Sequence, residues 1–212
     1  MTEQLQLDFD KIIKTSNISK KNIDAKRNHL KKFIESGFPN RKQEDWKFLD
    51  ISQIIKKNIK NLSFFNDYSL PNKIDSSIFV DGLEHNKIIF INGRIEKIDF
   101  SYEEKNNIEI NDEVNTELTI ENKNSLIDLN NAFTNKVFKI IVKKNYSLKK
   151  PLIIYHTTNE KIKSKNINSR LDFELEQNSS LRLIDFFTDN ADKNFSNILY
   201  NFDLKKDSVL KN

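Results

Sequence analysis

The sequence predicts a mixed, mainly β chain, with an N-terminal helical region over residues 1–75 and a β-rich region over 76–212. Three observations predict it. Apolar residues recur at helical spacing up to about residue 60. Beyond residue 75 they switch to short runs rich in Ile, Phe and Val, and then to strict alternation with polar residues. The turn dipeptides Asp81-Gly82 and Asn92-Gly93 punctuate the change.

The elements follow in order. Leu5, Phe9, Ile12 and Ile13 lie at helical spacing and predict a first helix. A second is expected over 22–36, capped by Asn22, with Asp24 in its positive first turn. Ile23, Leu30, Phe33 and Ile34 are expected to share its buried face. Gly37 supplies the positive φ beyond its end, and Pro39 stops it. A further short helix fits within 40–60, with Trp46 as a packing anchor, and 61–77 reads as a connector around Pro71.

Strands are expected at 78–80, 87–91 and 94–100. The last two form a hairpin across Asn92-Gly93 with a type I′ turn. Ile108–Ile110 and Leu118–Ile120 read as weaker strands. A short helix fits Asn124–Asn135, with Leu126, Leu129 and Phe133 on one face. Val137–Val142, Leu152–Tyr155, Leu171–Leu175, Leu181–Phe187 and Ile198–Leu204 complete the strands. Leu171, Phe173 and Leu175 alternate with Asp172 and Glu174, as a strand with one buried face requires. An antiparallel sandwich and a β-helix both fit this pattern. The chain ends just after a strand pattern, with no capping element, so the β region is expected to be incomplete.

Composition narrows the function. No apolar run approaches the ~20 residues of a membrane span, and no membrane partner is expected. Lys plus Arg is 35 and Asp plus Glu is 31, and the +4 balance is mixed along the chain rather than gathered into a basic stripe. Nucleic acid is therefore not expected as a partner. The N-terminus has neither a basic nor an apolar signal region, and cysteine is absent, so a cytoplasmic location is expected.

Motifs for chemistry are scarce. With 3 Gly in 212 residues, neither a phosphate loop nor a dinucleotide fingerprint exists. His29 is expected on a solvated helix face and His85 in a polar turn, while His156 ends a strand with no visible partner. Glu103-Glu104 and Asp112-Glu113 read as loop charges, because adjacent strand residues point to opposite faces and cannot flank a glycosidic bond. Lys149-Lys150-Pro151 and Lys161–Lys165 read as solvated basic loops. No catalytic, cofactor-binding or metal-ligating residue is assigned, and the chain is not expected to be an enzyme. A β-solenoid carbohydrate-active enzyme and a non-enzymatic β-rich interaction module are the alternatives. Each would be expected to be exported, the first with acids or metal ligands clustered on one face and the second with regular repeats.

The stretch Gly37-Phe38-Pro39-Asn40-Arg41-Lys42-Gln43-Glu44-Asp45-Trp46-Lys47-Phe48 resembles the G-[LF]-P-x-[RK]-x-x-E-[ED]-W-[KR]-[YF] segment near the N-terminus of SufD-like members of the SufB/SufD family. These belong to the SUF iron–sulfur cluster assembly system. Ile91-Asn92-Gly93-Arg94, Leu129-Asn130-Asn131-Ala132-Phe133 and Lys149-Lys150-Pro151-Leu152 resemble later family motifs in the same order. The resemblance implies an N-terminal helical region followed by the first coils of a right-handed parallel β-helix. It implies a scaffold subunit of a SufBCD complex, with a SufB-like paralogue and a SufC-like ATPase as partners. The iron–sulfur cluster would be assembled in the complex and not held by this chain alone. The family's interface residues lie in its C-terminal half and have no counterpart here. The absence of cysteine fits the SufD side of the pair rather than the SufB side, since thiolate anchoring needs sulfur.

Overall fold

A computed structural model describes residues 2–15, 18–64, 74, 76–113, 124–134, 136–188 and 193–212. Its N-terminal part is helical. Helix α1 spans Thr2–Thr15, α2 Lys20–Ser36, α3 Ile51–Asn58 and α4 Ser125–Phe133. Leu5, Phe9 and Ile12 of α1 pack with Leu30 and Phe33 of α2, Ile55 of α3, and Leu129, Ala132 and Phe133 of α4. These are the i, i+4, i+7 positions that the helical period places on one face.

Local chemistry sets the helix ends. Ser19, not Asn22, caps α2, its hydroxyl accepting from the Asn22 N–H at 3.3 Å. The serine lies one turn before the expected cap, where a hydroxyl reaches a free N–H. Gly37 has φ 69° and donates its N–H to Phe33 O at 2.7 Å, the expected C-terminal stop. Asp50 caps α3, accepting from Gln53 N at 2.8 Å, and Asn124 caps α4, accepting from Leu126 N at 3.0 Å.

Two expectations for this region are corrected. Trp46 sits in a short 3-10 turn, Glu44–Trp46, that buries none of its residues, and Phe48 is 86% exposed. The anchor of the segment is Phe38, packed on Phe33 at 5.0 Å and Phe195 at 5.7 Å between ring centroids. It follows the Gly37 stop directly, so the chain reversal turns it inward. On α2, Ile34 is 38% exposed, and Lys26 takes a buried place one turn before Leu30.

The β region holds two sheets. Strand β1 spans Asn86–Ile91, β2 Arg94–Asp99, β3 Ile108–Glu113, β4 Val137–Val142 and β5 Leu152–Thr157. Strand β6 spans Asn166–Leu175, β7 Ser180–Thr188, β8 Phe195–Leu204 and β9 Val209–Lys211. One sheet has the order β2-β1-β5-β7-β9 and the other β3-β4-β6-β8. Among the described strands, β1–β2 and β3–β4 pair antiparallel and the other pairs are parallel. From β4 onward, successive strands alternate between the sheets. This pairing excludes an antiparallel sandwich.

The hairpin is as expected, with Asn92 at φ 53° and Gly93 at φ 78°. The expected strand at 78–80 is not formed. Ser76–Ile78 is a 3-10 turn, and Val80 N donates to the Tyr155 hydroxyl at 3.1 Å. This segment lies over the outer face of β1 and β5, where Ile74, Ile78 and Phe79 pack on Ile89, Ile153 and Tyr155. The covering explains why β1 and β5 read as unbroken apolar runs, since both their faces are buried. Between the sheets, Ile88, Phe90, Ile154, Leu171, Phe173 and Leu183 form a second core. Strands β6 and β8 begin several residues before their expected alternation, at positions where they face α4. Leu118–Ile120 lies outside the described residues.

Candidate functional site

Three isolated-looking polar residues meet inside the two-sheet core. His156 is the fifth residue of β5, and the parallel register places it between Phe90 of β1 and Phe187 of β7. Its ring stacks on both, at 5.1 Å and 4.8 Å between centroids. Its Nε2 hydrogen-bonds the Tyr200 hydroxyl at 2.8 Å and lies 3.6 Å from Asp185 Oδ1. The Tyr200 O–H in turn donates to Asp185 Oδ1. Three strands drawn from both sheets thus supply one nitrogen and two oxygens to a single point. Burial and the adjacent Asp185 carboxylate push the Tyr200 phenol well above its ordinary value, so it is protonated at neutral pH. The His156 side chain is 8% exposed and that of Asp185 17%.

The other histidines also have partners, against expectation. His29 Nδ1 lies 2.7 Å from Asp128 Oδ1 and joins α2 to α4. His85 is buried, its Nδ1 on Leu83 O at 2.5 Å and its Nε2 on the Tyr155 hydroxyl at 2.7 Å. Sequence reasoning missed both, because the partners lie 99 and 70 residues away.

Glu103 is likewise no loop charge. It accepts from Asn86 Nδ2 at 2.7 Å, the Tyr146 hydroxyl at 2.7 Å, and the amides of Lys149 and Lys150 at 3.1 Å each. Burial works to raise its carboxyl, but these four donors outweigh it and hold the carboxyl below its usual range. Asp112 stands on β3, paired to Lys136 at 2.7 Å. Lys149 and Lys150 reach Glu104 at 2.9 Å and Glu84 at 2.5 Å.

Lys26 is a buried cation the sequence did not single out. Its Nζ donates to the carbonyls of Asn131 at 3.2 Å, Ala132 at 3.4 Å and Thr134, at the C-terminus of α4. Burial, and secondarily the charge of Arg170, bring its ammonium down to about 7. The spacing Lys26, Leu30, Phe33 was the available signal, since a lysine on a core face must find acceptors. Here it closes α4 onto α2.

A cavity of about 650 Å³ lies between β2 and the β3–β4–β6 sheet, lined by Ile95, Ile98, Ile110 and Phe138. Much of its polar rim is engaged. Asp112 holds Lys136, Asn168 bonds Asn166 and Asn197, and Ser169 Oγ donates to Gly93 O at 3.3 Å. This recess offers no convergent acid, base or nucleophile. Among the described residues no group of three His, Cys, Asp or Glu side chains is placed to hold a metal ion, and no helix is long and apolar enough to cross a membrane. No family model matches the chain, and no curated protein matches it.

Proposed function

We propose that this chain is a SufD-like scaffold subunit supporting iron–sulfur cluster assembly in the cytoplasm, without enzymatic activity of its own. Its partners are a SufB-like paralogue and a SufC-like ATPase, and the cluster is the cargo of the complex. In this reading β4 to β9 are the opening rungs of a right-handed parallel β-helix, and the helical layer flanks them. The observation that carries the reading is the strand order. Each strand from β4 onward pairs in parallel with the strand two places before or after it, and from β5 onward its immediate neighbours in sequence lie in the other sheet. The ordered motifs from Gly37 to Leu152 add to it. The mechanism is architectural: stacked rungs present a rigid face to the paralogue, and ATP chemistry stays with the ATPase.

The test is recovery of the native protein from its own cells through a tag at the chromosomal locus. The expected result is stoichiometric co-purification with an ABC-type ATPase and a cysteine-bearing paralogue, both identified by mass spectrometry. Recovery of the protein free of both would overturn the reading.

A further inference from the structure

We infer that Asn92 is a site of spontaneous deamidation that Asn159 holds in its amide form, so that the reaction runs only when the tip of the β1–β2 hairpin opens. Asn92-Gly93 is the one Asn-Gly pair in the sequence. Glycine has no Cβ to shield its amide nitrogen, so that nitrogen can close on the carboxamide carbon before it. In the reaction the Gly93 nitrogen gives its proton to a solvent base and bonds to Asn92 Cγ. The Cγ–Nδ2 bond breaks, the base returns the proton to the departing nitrogen, and ammonia leaves a five-membered imide behind. Water then opens the ring on either side and leaves an aspartate or an isoaspartate. One water enters, one ammonia leaves, and nothing is oxidised or reduced.

The fold opposes ring closure from both sides of the Asn92-Gly93 peptide. Asn92 lies one residue past the last β1–β5 register pair, Ile91 with Thr157. It is 8% exposed, and its N–H donates to Thr157 O at 2.9 Å. Asn159 grips both ends of its carboxamide. Asn92 Nδ2 donates to Asn159 Oδ1 at 2.9 Å, and Asn92 Oδ1 accepts from the Asn159 N–H at 3.0 Å. The leaving nitrogen is therefore one of the two atoms held. Gly93 sits tight against β6, where an added Cβ would meet Ile167 Cγ2 at 2.3 Å, and Ser169 Oγ donates to Gly93 O at 3.3 Å. Closure needs the Asn92 side chain and the following peptide to rotate toward each other, and each is tied to a different segment.

Asn159 also gives the reaction a consequence. Its Oδ1 accepts from Lys161 N at 3.1 Å, capping the 3-10 turn Glu160–Ile162. That second bond fixes the oxygen toward Asn92. An aspartate at position 92 sets a carboxylate oxygen, with no hydrogen to offer, against Asn159 Oδ1. Asn159 can present its amide nitrogen instead only by releasing Lys161 N, so one donor or acceptor is left unpaired either way. The clasp that extends the β1–β5 ladder is then lost, and a transient opening of the hairpin becomes permanent.

The experiment is incubation of the full chain in warm, mildly alkaline buffer, with and without denaturing urea. Peptide mass spectrometry follows the amide-to-acid mass gain at Asn92. The expected rate in native buffer is about tenfold or more below that in urea, since closure waits on local opening. Asn159→Ala removes the acceptor for Nδ2 and is expected to speed the native reaction by about three- to tenfold, the worth of one hydrogen bond. Asn159→Asp keeps that oxygen and is expected to restore the slow rate. Asn92→Asp, which puts the product in place, is expected to lower the thermal midpoint. Equal rates with and without urea overturn the inference, as does an Asn159→Ala protein of native far-UV circular dichroism that reacts no faster than wild type. An Asn159→Asp protein that reacts as fast as Asn159→Ala overturns the role given to the acceptor. An unchanged midpoint in Asn92→Asp overturns the consequence.

Discussion

Glu103 shows how a single carboxylate is made structural by its neighbours. Four donors converge on it, two of them the amides of Lys149 and Lys150 at the entry to β5. Glu103→Gln is expected to cost about 1–3 kcal/mol in urea unfolding, because a neutral amide accepts more weakly and its NH₂ faces donors. Its folded pKa lies below the unfolded value, so its contribution is present above the ordinary glutamate range. It is lost as pH falls through the lower folded pKa, and that acid-side loss should be smaller in the variant. Lys26 carries the opposite sign. Its folded pKa of about 7 lies below the ordinary lysine value of 10.5, so the unfolded chain binds more protons between them. Stability from this group therefore rises with pH from about 7 to 10.5, and Lys26→Met should remove that slope. The same variant orphans carbonyls at the end of α4 and is expected to cost about 1–3 kcal/mol at high pH. Helical spacing signals a buried place for Lys26, but its acceptors, like the donors to Glu103, are backbone atoms supplied by distant segments.

The β1–β2 hairpin is the element whose chemistry is most fully written in its residues. Asn92-Gly93 predicts the turn type, and both residues adopt the positive φ it needs. What the dipeptide does not reveal is that Gly93 lies on β6. A Cβ there would meet Ile167 Cγ2 at 2.3 Å and Ser169 Oγ at 3.0 Å. Gly93→Ala is therefore expected to destabilise by about 1–3 kcal/mol through overpacking, beyond the cost of positive φ, measured as a lowered thermal midpoint. The α2 cap is a milder case. Ser19→Ala is expected to cost about 0.5–2 kcal/mol, whereas Asn22→Ala should leave the cap intact. Strand 78–80 failed for a physical reason. Three apolar residues fit an exposed edge or a cover equally well, and the outer face of β1 and β5 needed a cover.

At the scale of the whole molecule, α4 is the joint between the two cores. Asn130 is fully buried, and its amide donates to Ser169 O of β6 at 2.9 Å and Asn197 O of β8 at 2.8 Å, while Asn197 returns a bond to Leu126 O. Asp8 of α1 performs a parallel task, accepting from Phe64 N at 2.7 Å beside the bridge from Ser63 to Lys165. Asn130→Ala is expected to lower stability and to split one unfolding transition into two, with helical and sheet signals separating in circular dichroism. A single coincident transition in the variant would show that other contacts carry the coupling.

The sequence by itself determined the helices, their stops, the hairpin turn and most strand positions, because spacing, caps and turn residues act over a few neighbours. It also excluded phosphate loops and thiolate chemistry by composition. Only the tertiary structure decided the parallel pairing, the cover over β1 and β5, and the partners of His29, His85, Glu103 and Lys26. The same holds for the meeting of His156, Asp185 and Tyr200. Period-two alternation states which face is buried but not which strand lies beside it. A histidine, an aspartate and a tyrosine spread over 45 residues become one cluster only when parallel strands from two sheets stack in register.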